Sequence, residues 1–144
     1  MNTTVIIVAY KSDKIIEQNL NKLDSNCKVI IIDNSHNENL KSYLEKKYNN
    51  VRVVLNSNKG FSQAANLGVK LADTEYIFFC SPDNFIKSKT VFKLEQIADD
   101  HKNFSLLILM GEQNKETKII RVEKEIGMSS FFTKKTDFIK LSGF

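Results

Sequence analysis

The segment Ser81-Pro82-Asp83-Asn84 puts an aspartate directly behind the only proline of the chain, at the end of the apolar run Tyr76–Cys80. Proline fixes its own φ and restricts the residue before it, so the backbone leaves the run along a defined path. A carboxylate held in this way suits a divalent cation, because Mg2+ and Mn2+ sites use one or two carboxylates and let substrate phosphates complete the shell. The plain alternative is that Asp83 and Asn84 cap a turn or the helix that follows. Asp33 presents a similar choice at the end of the apolar residues 29–32. Its carboxylate can accept from a base N–H or a ribose hydroxyl, as acids do in dinucleotide folds, or it can close an Asx turn.

Asn58, Gly60, Asn66 and Gly68 form a third set. Gly60 allows an unusual backbone angle, and Gly68 with Ala64 and Ala65 permits a helix to pack closely on a sheet. Asn58 and Asn66 either brace the loop or meet a ligand. Tyr10-Lys11 completes the polar inventory, directly after the first apolar run.

The elements that must position these residues alternate. Residues 5–9, residues 28–32, Val51–Leu55 and Tyr76–Cys80 are short, largely apolar runs that read as buried strands. Between them lie helical patterns: Ser12-Asp13 as a cap before Ile16, Leu20 and Leu23; an inner stripe of Leu40, Tyr43 and Leu44; and a small-residue helix over residues 61–72. Ser88 caps a further helix with Val91, Leu94, Ile97 and Ala98 facing inward. The last third changes character, with strands expected over residues 106–110 and 117–122, an extended segment over 126–133 and a short helix over 134–141. The expectation is one α/β domain with a mostly parallel sheet and helices on both faces. In such a sheet the strand ends share one edge, and ligands bind there where the strand order reverses. Turn chemistry alone accounts for any one polar loop; four of them at successive strand ends point to one crevice.

Composition bounds the rest. A chain of 144 residues with 42% apolar and 26% charged residues has the make-up of a soluble globular domain able to bury a core. No apolar run approaches the roughly 20 residues of a membrane span, and the run at residues 5–8 is too short for a signal peptide. Cys27 and Cys80 lack metal-site or redox spacing and read as buried free thiols, which fits a cytoplasmic setting. The net charge of +4 is dispersed, with no basic-aromatic interleaving, so nucleic acid is not an expected partner. The excess favours a small anionic ligand or an anionic membrane surface. His36 and His101 have no matched partners and read as solvated, whereas Phe131-Phe132 reads as core. The phosphate-binding patterns GxGxxG and GxxxxGK[ST] are absent. A phosphorylation receiver domain would need an acidic pair after the first strand, where this chain has Ala9-Tyr10-Lys11.

Together these residues resemble family 2 glycosyltransferases of the GT-A fold, in particular their rhamnosyltransferase-like branch. The likeness runs from Val5 to about Ile86: a first strand with a tyrosine turn (Tyr10-Lys11), then Asp33-Asn34-Ser35, Asn58-Lys59-Gly60-Phe61, Asn66-Leu67-Gly68 and Ser81-Pro82-Asp83. The resemblance implies that Asp33 contacts the nucleotide base, that Tyr10, Asn58 and Gly60 lie beside the nucleotide, and that Asp83 binds both nucleotide and metal. It implies Mn2+ or Mg2+ as cofactor, a UDP- or dTDP-sugar donor, inversion at the anomeric carbon, and a glycan or lipid-linked acceptor at the inner membrane face. It divides the chain into a nucleotide-binding half, about residues 1–100, and a partial acceptor-side half, 101–144. Leu141-Ser142-Gly143-Phe144 resembles the start of the family's Gly-Gly-Phe-Asp-Glu segment, with Ser142 for the first glycine. The catalytic base is then expected beyond Phe144, so the domain is expected to be truncated, with apolar surface open to self-association. A non-catalytic nucleotide-sugar-binding module is the competing expectation.

Overall fold

A computed structural model describes residues 1–108 and 130–144. Its first half is built from four parallel strands, β1 (Thr3–Ala9), β2 (Lys28–Asp33), β3 (Val51–Leu55) and β4 (Tyr76–Cys80). Four helices alternate with them or follow: α1 (Asp13–Leu20), α2 (Glu38–Lys47), α3 (Phe61–Leu71) and α4 (Ser88–Asp100). The chain ends with β5 (Leu107–Ile108), β6 (Ser130–Lys134) and the short α5 (Lys135–Lys140). The sheet order is β3-β2-β1-β4-β6-β5, with β6 antiparallel to both of its neighbours.

Chain path and handedness fix which helix covers which face. From β1 the chain steps outward to β2 and β3, then jumps back across β1 to β4. Right-handed crossovers therefore put α1 and α2 on one face and α3 on the other. The burial pattern agrees. Val5, Ile7, Val29, Ile31, Val53 and Phe78 meet Ile16, Leu20, Leu44, Val91 and Leu94. On the opposite face Ile6, Ile30, Ile32, Ile77, Phe79 and Phe131 meet Ala64, Ala65 and Val69, with Phe138 of α5 packed against them. Strands buried on both faces need no polar alternation, which is why they read as continuous apolar runs.

Some local expectations change. Leu40 and Leu44 form the inner stripe of α2, but Tyr43 is about half exposed at 49% and donates its phenol to Glu17 on α1. Ser12 stands at the head of α1 without capping it; its hydroxyl donates to the Tyr10 carbonyl. Ser88 is the first helical residue of α4, and its hydroxyl accepts the Asp24 amide. Asn37 is the side-chain cap, accepting from the Leu40 amide at the start of α2. α1 stops at Leu20, yet Leu23 still packs on the core. Both cysteines are buried and free, His36 and His101 are exposed, and Phe131 and Phe132 are core. Residues 117–122, residues 109–110 of the strand expected over 106–110, and residues 126–129 of the segment expected over 126–133 lie outside the described residues. No helix among the described residues is long and apolar enough to cross a membrane.

Candidate functional site

The order β2-β1-β4 contains the reversal at which an open α/β sheet opens a crevice, between the C-terminal ends of β1 and β4. On the β1–β2–β3 side three loops are tied together. Asp33 pairs with Ala9 and Leu55 in register, and two backbone bonds prolong the ladder: Asn34 N–H to the Ala9 carbonyl at 2.8 Å and Asn56 N–H to the Asp33 carbonyl at 2.9 Å. Beyond the strands the Lys11 amide donates to Ser35 Oγ at 3.3 Å, and Asn56 Nδ2 donates to Asn34 Oδ1 at 2.8 Å. Tyr10, 52% exposed, stands free at the crevice mouth with the Lys11 ammonium 5.2 Å from its ring centre. Lys11 and His36 both have left-handed φ, 52° and 55°, so the first two loops leave their strands in sharp turns.

Asp33 is fully buried and its carboxylate is heavily used. Oδ1 accepts the Ser35 amide at 3.0 Å and the Ser35 hydroxyl, and Oδ2 accepts the Asn37 amide at 2.7 Å. A carboxylate offers about four acceptor directions. Three are taken by its own loop, which leaves about one for anything outside it.

Asp83 is the opposite case. It is exposed, and its carboxylate has no hydrogen bond or ion pair among the described residues. The loop beneath it is anchored from two sides. Asn84 Nδ2 donates to Ser130 Oγ on β6 at 2.7 Å, and Asn19 of α1 bonds the loop backbone, its Nδ2 reaching the Asn84 carbonyl at 2.8 Å. The Cys80 thiol also donates to that carbonyl. Burial pushes the thiol up to about 11, against hydrogen bonds from Asn19 and Ser130, and the nearby Asp83 charge adds to the rise. Cys80 is therefore a neutral donor rather than a nucleophile.

The third loop delivers Gly60 at the head of α3, with φ +93° and open space around it. Asn58 Oδ1 accepts the Gly60 amide at 3.3 Å, so Asn58 braces the turn. Asn66 lies one turn further along α3 and exchanges two bonds with Phe144: it accepts the Phe144 amide at 3.1 Å and donates to the Phe144 carbonyl at 3.3 Å. The Phe144 ring sits among Phe61, Phe79, Phe131 and Phe138, at centroid distances from 5.2 to 5.8 Å. Asn66 thus anchors the segment after α5. Neither Asn19 nor Ser130 was among the expected site residues; Asn19 carries a signal, a polar side chain on the stripe of Ile16 and Leu20.

The fold brings Tyr10, Asp33, Asn58, Gly60 and Asp83 to one edge of the sheet. A hollow of about 700 Å3 lies beside them, lined by Lys11, Ser12, Asp13, Lys14, Ile15, Ser35 and Asn37. It flanks the crevice on the α1 side and does not include Asp33 or Asp83. No group of three or more His, Cys, Asp or Glu that could cage a metal exists among the described residues. A lone, unpaired carboxylate could instead contribute one ligand to a hard cation that takes its others from phosphate and water.

Comparison with known proteins agrees with this architecture. The chain is 32% identical over 99 residues to the minor teichoic acid biosynthesis protein GgaB of Bacillus subtilis, covering 59% of this chain and 11% of that protein. It is 25% identical over 124 residues to the poly(ribitol-phosphate) beta-N-acetylglucosaminyltransferase TarS of Staphylococcus aureus, covering 79% of this chain and 22% of TarS. The chain thus spans a quarter or less of the length of these relatives. The crystal structure of S. aureus TarS 1–349 in complex with UDP-GlcNAc superimposes with a TM-score of 0.72 at 20% identity, over 99% of this chain and 48% of the other. The mannosyltransferase PcManGT from Pyrobaculum calidifontis, in complex with GDP-Man and Mn2+, gives 0.73 at 14% identity, over 99% of this chain and 47% of the other. These likenesses establish the GT-A, Rossmann-like fold. Glycosyl transferase family 2 matches residues 4–143, nearly the whole sequence, and the chain belongs to that family.

Proposed function

We propose that this domain binds a nucleoside-diphosphate sugar at the β1/β4 crevice and serves its transfer to a glycan or lipid-linked acceptor at the cytoplasmic face of the membrane. The observation that carries the reading is the unpaired Asp83 carboxylate, fixed at the switch point opposite three mutually bonded loops. Asp33 offers its remaining acceptor direction to the base or ribose, and its main work is to hold the loop that shapes the base subsite. Tyr10 supplies an exposed ring beside the nucleotide, and Asn58 and Gly60 supply a turn that approaches it without a side chain in the way. Asp83 would hold Mn2+ or Mg2+. Such a cation, when bound, neutralises the departing diphosphate and aligns it. About residues 1–100 make up the nucleotide-binding half in this reading.

The base that deprotonates the acceptor is not assigned to a described residue. Asp137 stands on α5, whose first amide, that of Lys135, bonds the Glu75 carbonyl. That contact is at the N-terminal end of β4, the edge of the sheet away from the crevice. This placement favours a second reading, in which the stretch binds donor without itself transferring sugar.

The test is a thermal-shift titration with UDP, dTDP and GDP, with and without Mn2+, on the wild type and Asp83→Ala. At one hundred times Kd, linkage adds about 2.7 kcal/mol, which for a domain of this size is roughly 8 °C in Tm. One nucleotide should stabilise the wild type, more strongly with Mn2+, and the Mn2+ increment should vanish in Asp83→Ala. No shift with any of them would refute the donor site. Donor hydrolysis or transfer by the same protein separates the catalytic reading from the binding one.

A further inference from the structure

Asn19 is fully buried on the core face of α1, between Ile16 and Leu20. A leucine there would cost nothing in desolvation, whereas a buried amide is tolerated only when its donors and acceptor are met. They are met by a single loop more than sixty residues away. Nδ2 donates to the Asn84 carbonyl at 2.8 Å, with longer contacts to the Pro82 carbonyl at 3.5 Å and Cys80 Sγ at 3.7 Å. Oδ1 accepts the Ile86 amide at 3.3 Å. These contacts bracket Asp83 on both sides without touching it.

We propose that Asn19 is the positioning residue for Asp83, its one side-chain amide clamping the backbone of residues 82–86 so that the Asp83 carboxylate is presented to a metal–diphosphate ligand. The assignment rests on the donor-site reading above. Three further observations support it. Pro82 already removes one degree of freedom from the loop, and Asn19 removes more on the far side of Asp83. The Asn84 carbonyl receives a second bond from the Cys80 thiol, at 3.1 Å, and the Asn84 side chain is held by Ser130. Asp83 is left exposed, with its carboxylate unbonded among the described residues. Residues that orient a metal-binding carboxylate without contacting the metal commonly set its affinity.

The experiment is a double-mutant cycle on nucleotide binding. UDP, dTDP and GDP are titrated by calorimetry with and without MnCl2 against the wild type, Asn19→Leu, Asp83→Ala and the double variant. The ratio of the two Kd values gives the Mn2+ gain. Asn19→Leu should cut that gain by about 10- to 100-fold, leave the Mn2+-free Kd unchanged, and add nothing in the Asp83→Ala background. A merely structural role would weaken binding with and without Mn2+ and would add to Asp83→Ala. Retention of the Mn2+ gain in Asn19→Leu, or that uniform additive loss, would overturn the assignment. Should Asn19→Leu fail to fold, Asn19→Ser, which keeps a hydroxyl but not the two-sided clamp, is read by the same ratios. A wild type that binds no nucleotide would instead overturn the donor site, and one that binds without a Mn2+ gain would overturn the metal role of Asp83; either takes the role of Asn19 with it.

Discussion

Replacing Gly68 with alanine tests how tightly α3, which carries the Asn58–Gly60 turn at its head, is seated on the sheet. A Cβ at position 68 would lie 2.6 Å from Ile6 Cγ2 and 3.3 Å from Ile6 Cδ1. Carbon atoms pack at about 3.5–4.0 Å, so one side must yield by roughly 1 Å. Ile6 has little freedom to do so. It is fully buried on β1, and its Cγ2 branches from a β-carbon whose χ1 is strongly restricted. Overpacking of this kind costs about 1–3 kcal/mol, and so close an approach belongs at the upper end. Against it stands the gain of about 1 kcal/mol from alanine over glycine inside a helix. The net expectation for Gly68→Ala is a loss of about 2 kcal/mol, seen as a lower urea midpoint at unchanged m. For a domain of this size Tm should fall by roughly 6 °C. The partner change isolates the cause: Ile6→Ala alone costs about 2–5 kcal/mol as a cavity, and less in the Gly68→Ala background, where the new methyl fills part of the space. A Gly68→Ala protein as stable as the wild type, or more so, would refute the close approach and leave only helix propensity at work.

Other consequences are open to measurement. Gly143 has φ +72°, and a Cβ there would run into Asn66 Oδ1. Gly143→Ala should therefore lose both the left-handed turn, about 1–2 kcal/mol, and the Asn66 bonds to Phe144, seen as a lower Tm and faster proteolysis of the residues after α5. Cys80 should resist thiol reagents in the native state at pH 8 and react once the chain is unfolded. Its thiol is raised from 9.0 to about 11 by burial, so on alkaline titration the unfolded state loses its proton first. Stability from this group is complete below pH 9 and is lost as the pH rises through 11. The stability difference between wild type and Cys80→Ala should thus shift by roughly 2 kcal/mol across that window, and a pH-independent difference would contradict the buried, neutral thiol.

The sheet was legible in the sequence because its central strands are covered on both faces, and a continuous β-branched run such as Val5 to Val8 has few other uses. The close-packed glycine was legible for a related reason: Gly68 beside Ala64 and Ala65 is a small-residue face, and such a face implies a near neighbour. Helix starts were less so. Ser12 and Ser88 are good caps by type, but the first bonds the Tyr10 carbonyl in its own loop and the second the Asp24 amide of another, and a serine cannot advertise which bond it will make. Tyr43 misled by its size. At that position on α2 the phenol reaches Glu17, which Lys47 also binds, and this holds the Glu17 carboxyl below its ordinary value. The antiparallel insertion of β6 between β4 and β5 was invisible, because pairing direction leaves no mark on a segment as short as Ser130–Lys134.

The site divides along the same line. Asp33 and Asp83 stood out because a carboxylate at the end of a buried strand is a local pattern. Their different employment was not visible, since it depends on what else arrives. Asp33 meets Ser35 and Asn37, two and four residues on, which take three of its roughly four acceptor directions. Asp83 has Asn84 and Ile86 one and three residues on, and Asn19 takes the carbonyl of the first and the amide of the second. A distant side chain thus accepts the Ile86 amide, a donor that the Asp83 carboxylate could otherwise have used to close its loop. Local spacing therefore locates an acid, while non-local hydrogen bonding decides whether that acid closes a loop or faces a ligand. On this argument the substitution that should convert Asp83 from a ligand-facing group into a loop-closing one lies at Asn19, the polar residue on the apolar stripe of α1.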